Sequence, residues 1–168
     1  MMYEVPTPDA AVTQGDLFTQ CPIVEVRAVE GADSEIEVLK GFGSVVELTQ
    51  ACDLAQGKVT HVVAARIAAA ALLVESGVLK DQQVRNQIRR HQVYGWYFLP
   101  ADSCLPAWQE SLVDLRNLIT LPLTMLGHLA AAGCRVGRLC SPYREHLSKH
   151  FADTYARIGL PEPYTTEP

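Results

Sequence analysis

A chain of 168 residues, 48% hydrophobic and 20% charged, is long enough for one sizeable core and too apolar to remain disordered. Its formal net charge of −5 excludes the broad basic footprint that duplex nucleic acid demands, while leaving room for a local cationic groove. The cysteines Cys21, Cys52, Cys104, Cys134 and Cys140 make no CxxC pair and are odd in number, which argues against a zinc ribbon or disulfide framework and predicts reduced thiols, no metal and no cofactor.

Residues 1–14 read as a loose arm. They carry no basic stretch followed by an apolar run, and the most apolar segment, 67–74, is too short to span a bilayer. The expectation is a cytoplasmic protein without membrane contact. Gly15 and Asp16 introduce an extended run over 17–26 whose Pro22 predicts an edge or bent strand. Four acids, Glu30, Asp33, Glu35 and Glu37, mark a solvated loop. Beyond Gly41 and Gly43, the run Val45, Val46, Glu47, Leu48 and Thr49 predicts a second strand. A turn at Gln56, Gly57 and Lys58 leads to a third over 59–67, paired with the second.

Residues 68–75, rich in Ala and Leu, predict a helix interrupted at Gly77. Asp81 is the expected N-cap of a short helix with Val84, Ile88 and His91 on one face. The aromatic run 94–99 predicts a strand stopped by Pro100. Residues 112–119 suit helix or strand, and Thr120 with Pro122 favours strand. A short helix over 123–132 should end at Gly133, before a strand over 134–140. The last helix is the most legible, with Ser141 as N-cap, Pro142 at its first position and an apolar stripe of Tyr143, Leu147, Phe151, Tyr155 and Ile158. Gly159 and Pro161 should end it, leaving 161–168 as a loose tail behind a single domain over 15–160.

The succession Gly15-Asp16-Leu17-Phe18, Val45-Val46-Glu47-Leu48-Thr49, the strand from His61 to Ile67, the strand from Ser111 to Thr120 and a closing helix resembles the MazF/PemK toxin family over about residues 15–160. The resemblance implies an α+β fold: a small SH3-like β-barrel with inserted short helices and a C-terminal amphipathic helix. It also implies a bacterial toxin–antitoxin or defence role, a homodimer, and metal-independent cleavage of single-stranded RNA. The family's Arg-Pro pair at the start of the second strand and its Thr or Ser after the third correspond here to Gly43-Ser44 and Ala68-Ala69, so its chemistry would have to be relocated. The segments 49–54 and 141–146 also look like those of short bacterial proteins, as a divergent branch would.

Several groups of residues could carry that chemistry. Gln50, Cys52 and Asp53 lie just past a strand, where Cys52 could act as a nucleophile and Asp53 with Gln50 could position substrate; equally, Asp53 stabilises the turn and Cys52 fills core space. Arg144 and His146 open the last helix, suited to stabilising charge on a scissile phosphate and to proton transfer, with His91 as the alternative acid or base; equally, they form a solvated helix face. His146 and His150 stand four residues apart without an evident third ligand. Arg89 and Arg90 precede Tyr94, Trp96 and Tyr97, a mixture of cations and aromatics that suits single-stranded RNA or, for Trp96 and Phe98, core packing. A second clustered set of cations, Arg135 and Arg138 with Arg144, reads as surface or as a phosphate site. The rivals to an RNA-cleaving protein are a non-catalytic module that binds a protein partner and a Cys52-dependent enzyme.

Overall fold

The computed structural model describes residues 1–28 and 36–156. It is an α+β fold around a seven-stranded, wholly antiparallel sheet in the order β1-β7-β2-β3-β4-β6-β5. The strands are β1 (Tyr3–Glu4), β2 (Asp16–Ala28), β3 (Ile36–Glu47), β4 (His61–Ala69), β5 (Trp96–Leu99), β6 (Ser111–Pro122) and β7 (Arg135–Leu139). The helices are α1 (Ala51–Ala55), α2 (Ala70–Glu75), α3 (Asp81–Asn86), α4 (Leu123–Ala131) and α5 (Tyr143–Tyr155), with a 3-10 turn at Ile88–Arg90. The barrel expected from the sequence does not close. β1 and β5 stand at opposite ends of the sheet and pair only inward, with β7 and β6.

Alternation along the strands builds a core on each face. One face gathers Leu17, Val46, Leu48, Ile67, Tyr97, Leu115 and Leu139 beneath Leu147 of α5. The other gathers Phe18, Val45, Val62, Ala64 and Leu121 beneath Leu54 of α1 and Leu126 and Ala130 of α4. A third cluster, Leu79, Val84, Ile88, Trp96 and Leu112, seats α3 and the 3-10 turn against β5 and β6. Trp96 and Tyr97 are therefore buried on opposite faces of one strand.

Several local expectations are corrected. The N-terminal segment is not loose: Tyr3 is fully buried, its hydroxyl donates to the Pro100 carbonyl at 2.9 Å, and β1 pairs with β7. Arg135 and Arg138 are not free surface cations. Both engage the buried Asp16 carboxylate, and the Arg135 guanidinium also donates to the carbonyls of Thr7, Ala10 and Ala11, fastening the segment down. Asp81 does not cap α3; it pairs with Arg85 one turn on, and Lys80 holds the cap position. Pro142, not Ser141, is the N-cap residue of α5. Residues 158–168 of the expected stripe, stop signal and tail lie outside the described residues, as do Glu30, Asp33 and Glu35.

β2 lies inside the sheet order, yet its pairing with β7 ends at Phe18 and a register shift follows before Cys21. Pro22 therefore stands where β2 has one open edge, which its missing N–H permits. β3 likewise meets β4 only from Ser44 onward. The distal halves of β2 and β3 thus leave the sheet as a two-stranded ribbon. Gly43 sits at its base, where a Cβ would lie 2.6 Å from Ile23 Cδ1.

Candidate functional site

Three histidines and a tyrosine converge where α5 crosses the end of the 3-10 turn and β5. His91 follows that turn in the left-handed region at φ 54°, a conformation that costs a non-glycine residue about 1 kcal/mol or more and that concentrates at functional sites. His146 and His150, one turn apart on α5, face it. The ring centroids of His91 and His146 are 4.6 Å apart, edge to face, and those of His91 and His150 are 6.0 Å apart. Tyr97 of β5 lies against all three, 4.5 Å from His91, 5.5 Å from His146 and 5.8 Å from His150.

Hydrogen bonding differentiates the imidazoles. His150 is buried, and its Nε2 lies 3.0 Å from the Trp96 carbonyl and 3.2 Å from that of Val93. Carbonyls only accept, so this nitrogen carries a proton and the ring is a fixed strut between α5 and β5. The Tyr97 hydroxyl lies 3.3 Å from the Tyr143 carbonyl and 3.3 Å from His146 Nδ1. The phenol has one proton for two partners at equal distance: it donates to the carbonyl and accepts Nδ1–H of His146, or it donates to an unprotonated Nδ1, and either way it holds the exposed His146 ring at that nitrogen. His91 Nδ1 is buried without a partner among the described residues. Burial, then the nearby His146 and His150, pulls the His91 pKa down to about 4, so this imidazole is neutral at physiological pH. Burial pushes the Tyr97 phenol above its ordinary value, with Tyr143 adding to the effect.

The rim of the cluster carries exposed groups. Tyr94 is stacked on His150 at 6.0 Å, and both Tyr94 and Tyr143 are exposed. Arg90, the residue before His91, is exposed, and its guanidinium makes no ion pair or hydrogen bond with a described residue. Arg89 is committed elsewhere, to Glu110 and to the face of Phe98 at 5.2 Å. Arg144 sits on the adjacent face of α5, paired with Glu145 at 2.8 Å and packed by its stem against Gly15.

The other expected candidates form a separate group on α1. Gln50 holds its N-cap position, Asp53 is 3.8 Å from Lys58, and the exposed Cys52 has its sulfur 3.6 Å from Gln50 Oε1 and 3.9 Å from Asp53 Oδ1. Both sulfur contacts are to oxygen acceptors, and no imidazole shares them. Of the expected site residues, then, His91 and His146 are brought into ring contact, Arg90 and Arg144 lie close to them in sequence, and Gln50, Cys52 and Asp53 lie apart on α1. The structural roles of His150 and Tyr97 were missed in the sequence; the four-residue step from His146 to His150 was the available signal.

Among the described residues, no group of three or more His, Cys, Asp or Glu side chains is arranged to hold a metal ion, and no helix is long and apolar enough to cross a membrane. No family model and no curated protein sequence matches the chain.

Proposed function

We propose that the histidine cluster is a proton-transfer site that cleaves single-stranded RNA, on a scaffold distantly related to the MazF/PemK toxins. The kinship rests on the succession of β2, β3, β4 and β6 in one antiparallel sheet with α5 packed against it. The chemistry rests on a different observation, the His91–His146 pair at 4.6 Å, with one ring kept neutral in a left-handed turn and the other exposed.

Two imidazoles side by side can serve a transfer that needs a proton removed and another supplied. In the proposed step the neutral His91 takes the proton of a ribose 2′-hydroxyl as its oxygen bonds to the adjacent phosphorus. The bond from phosphorus to the 5′ oxygen breaks, and His146, entering as imidazolium, protonates that leaving oxygen. The products are a 2′,3′-cyclic phosphate and a 5′-hydroxyl. Arg90 supplies an unpaired cation for the phosphate, and Tyr94 and Tyr143 offer faces for bases to stack on. Tyr97 is a positioning residue, acting through His146.

The test is incubation of the protein with mixed single-stranded RNA in chelator, followed by analysis of the product ends. Cyclic phosphate should accumulate with the wild type, and His91→Asn and His146→Gln should each slow it by about 10²-fold or more. Asn tolerates the left-handed turn, so the first variant tests the ring and not the backbone. Intact RNA at high protein excess, or cleavage indifferent to both substitutions, would remove the reading.

A further inference from the structure

We infer that the ribbon formed by the distal halves of β2 and β3 is the interface through which two copies of this chain associate face to face. The inference stands independently of the histidine cluster.

The register assigns the ribbon's side chains to two unlike faces. On one, Pro22 lies opposite Phe42, Val24 opposite Lys40, Val26 opposite Val38 and Ala28 opposite Ile36. The other carries Ile23 opposite Gly41, Glu25 opposite Leu39 and Arg27 opposite Glu37. The second face is anchored inward: Ile23 is buried, and Glu25 pairs with Arg66 of β4. The first is turned outward and is apolar except for Lys40. Phe42 is 73% exposed, Ile36 69%, Val26 65%, Val24 59% and Val38 49%. Those five residues present about 500 Å² of apolar surface in one strip, near the top of what a monomer leaves uncovered.

Three features favour a second copy as its cover. An isolated two-stranded ribbon is marginal in water, and this one has lost its sheet neighbours on both sides, so it needs a layer over its apolar face. Packing two such faces about a two-fold axis buries about 1,000 Å² in total, the size at which specific interfaces begin. The face is also self-complementary when its strands run oppositely. The bulky end at Phe42 then meets the tip end at Ile36 of the other copy, and Lys40 lies over the Val26 and Val38 level, its stem covering them while the ammonium reaches solvent. The result is a small two-layer sandwich with one two-stranded ribbon from each copy on either side of the axis.

The experiment is sedimentation velocity of the full chain from about 1 to 200 μM, with Val26→Glu/Phe42→Glu as the test variant and Leu72→Glu, which alters an exposed leucine on α2, as the control. The wild type and the control should form a dimer across this range, and the double variant should weaken it at least 100-fold with an unchanged circular dichroism spectrum. Hydrogen exchange at low and high protein concentration gives an arm that needs no substitution, and added protection should appear over 22–28 and 36–42. A wild type monomeric at 200 μM overturns the inference, as does a dimer that persists in the double variant or protection that rises elsewhere and not on the ribbon.

Discussion

Replacing Glu47 by Gln should change how stability depends on pH, in a direction the structure sets. Glu47 is fully buried on β3; its Oε1 takes the Thr49 amide at 2.7 Å and its Oε2 has no partner among the described residues. Burial, with the Asp16 carboxylate adding a smaller push after the opposing Thr49 bonds, raises its pKa from 4.5 to about 8. Between those values the folded chain holds a proton that the unfolded chain has released. Stability therefore falls as pH rises through the window, at about 1.4 kcal/mol per pH unit. His91 has the opposite sign. Its folded pKa of about 4 lies below the ordinary 6.5, so between them the unfolded chain holds the extra proton and stability rises with pH. From pH 4.5 to 6.5 the two slopes oppose and nearly cancel. Above 6.5 only Glu47 acts, and the wild type should lose about 2 kcal/mol by pH 8. In Glu47→Gln that loss should vanish, and the His91 rise should emerge below pH 6.5 as a gain of about 1–3 kcal/mol. Urea unfolding followed by tryptophan fluorescence at half-unit steps from pH 4.5 to 8.5 reads both. A wild-type curve flat above pH 6.5, or a variant that keeps the fall, would refute the reasoning.

Arg135→Met strips the buried Asp16 of one partner and frees the carbonyls of Thr7, Ala10 and Ala11; it should cost about 3–5 kcal/mol in urea unfolding and expose the N-terminal segment to limited proteolysis. Gly95→Ala places a Cβ at φ +83° and 2.8 Å from Arg116 Cδ, whose guanidinium lies over Trp96, so melting should show a loss of about 1–2 kcal/mol. Arg90→Glu should raise the KM for RNA about tenfold and flatten its salt dependence while leaving the melting temperature unchanged, because the exposed Arg90 guanidinium makes no ion pair or hydrogen bond with a described residue.

The individual elements were legible where local chemistry decides them. Val45 and Val46, the Trp96–Leu99 run and the β-branched β4 read as strands, and Gly133, at φ +77°, marks the end of α4 as its position suggests. What local patterning does not contain is the order of strands. An open sheet with β1 and β5 at its ends depends on the β1–β7 and β4–β6 pairings, which join segments remote in sequence, and alternation is the same whether a sheet closes or stays open. Tyr3 was lost among prolines and polar residues, because its burial is enforced from outside by Pro100 and by the arginines of β7. The five-residue α1 has no side-chain cap and is too short for a helical period. In the site, the i,i+4 step of His146 and His150 was visible, whereas the arrival of His91 and Tyr97 depends on where β5 docks beneath α5.

The central physical claim is that His91 is held neutral by burial and, after it, by the adjacent His146 and His150. Nuclear magnetic resonance titration of the His91 ring, in the wild type and in His146→Gln, tests it without reference to any substrate. The wild-type ring should titrate near pH 4, and its midpoint should move part of the way upward in the variant, because burial, the larger cause, remains when His146 is gone. A wild-type midpoint near 6.5 that ignores the substitution would contradict it.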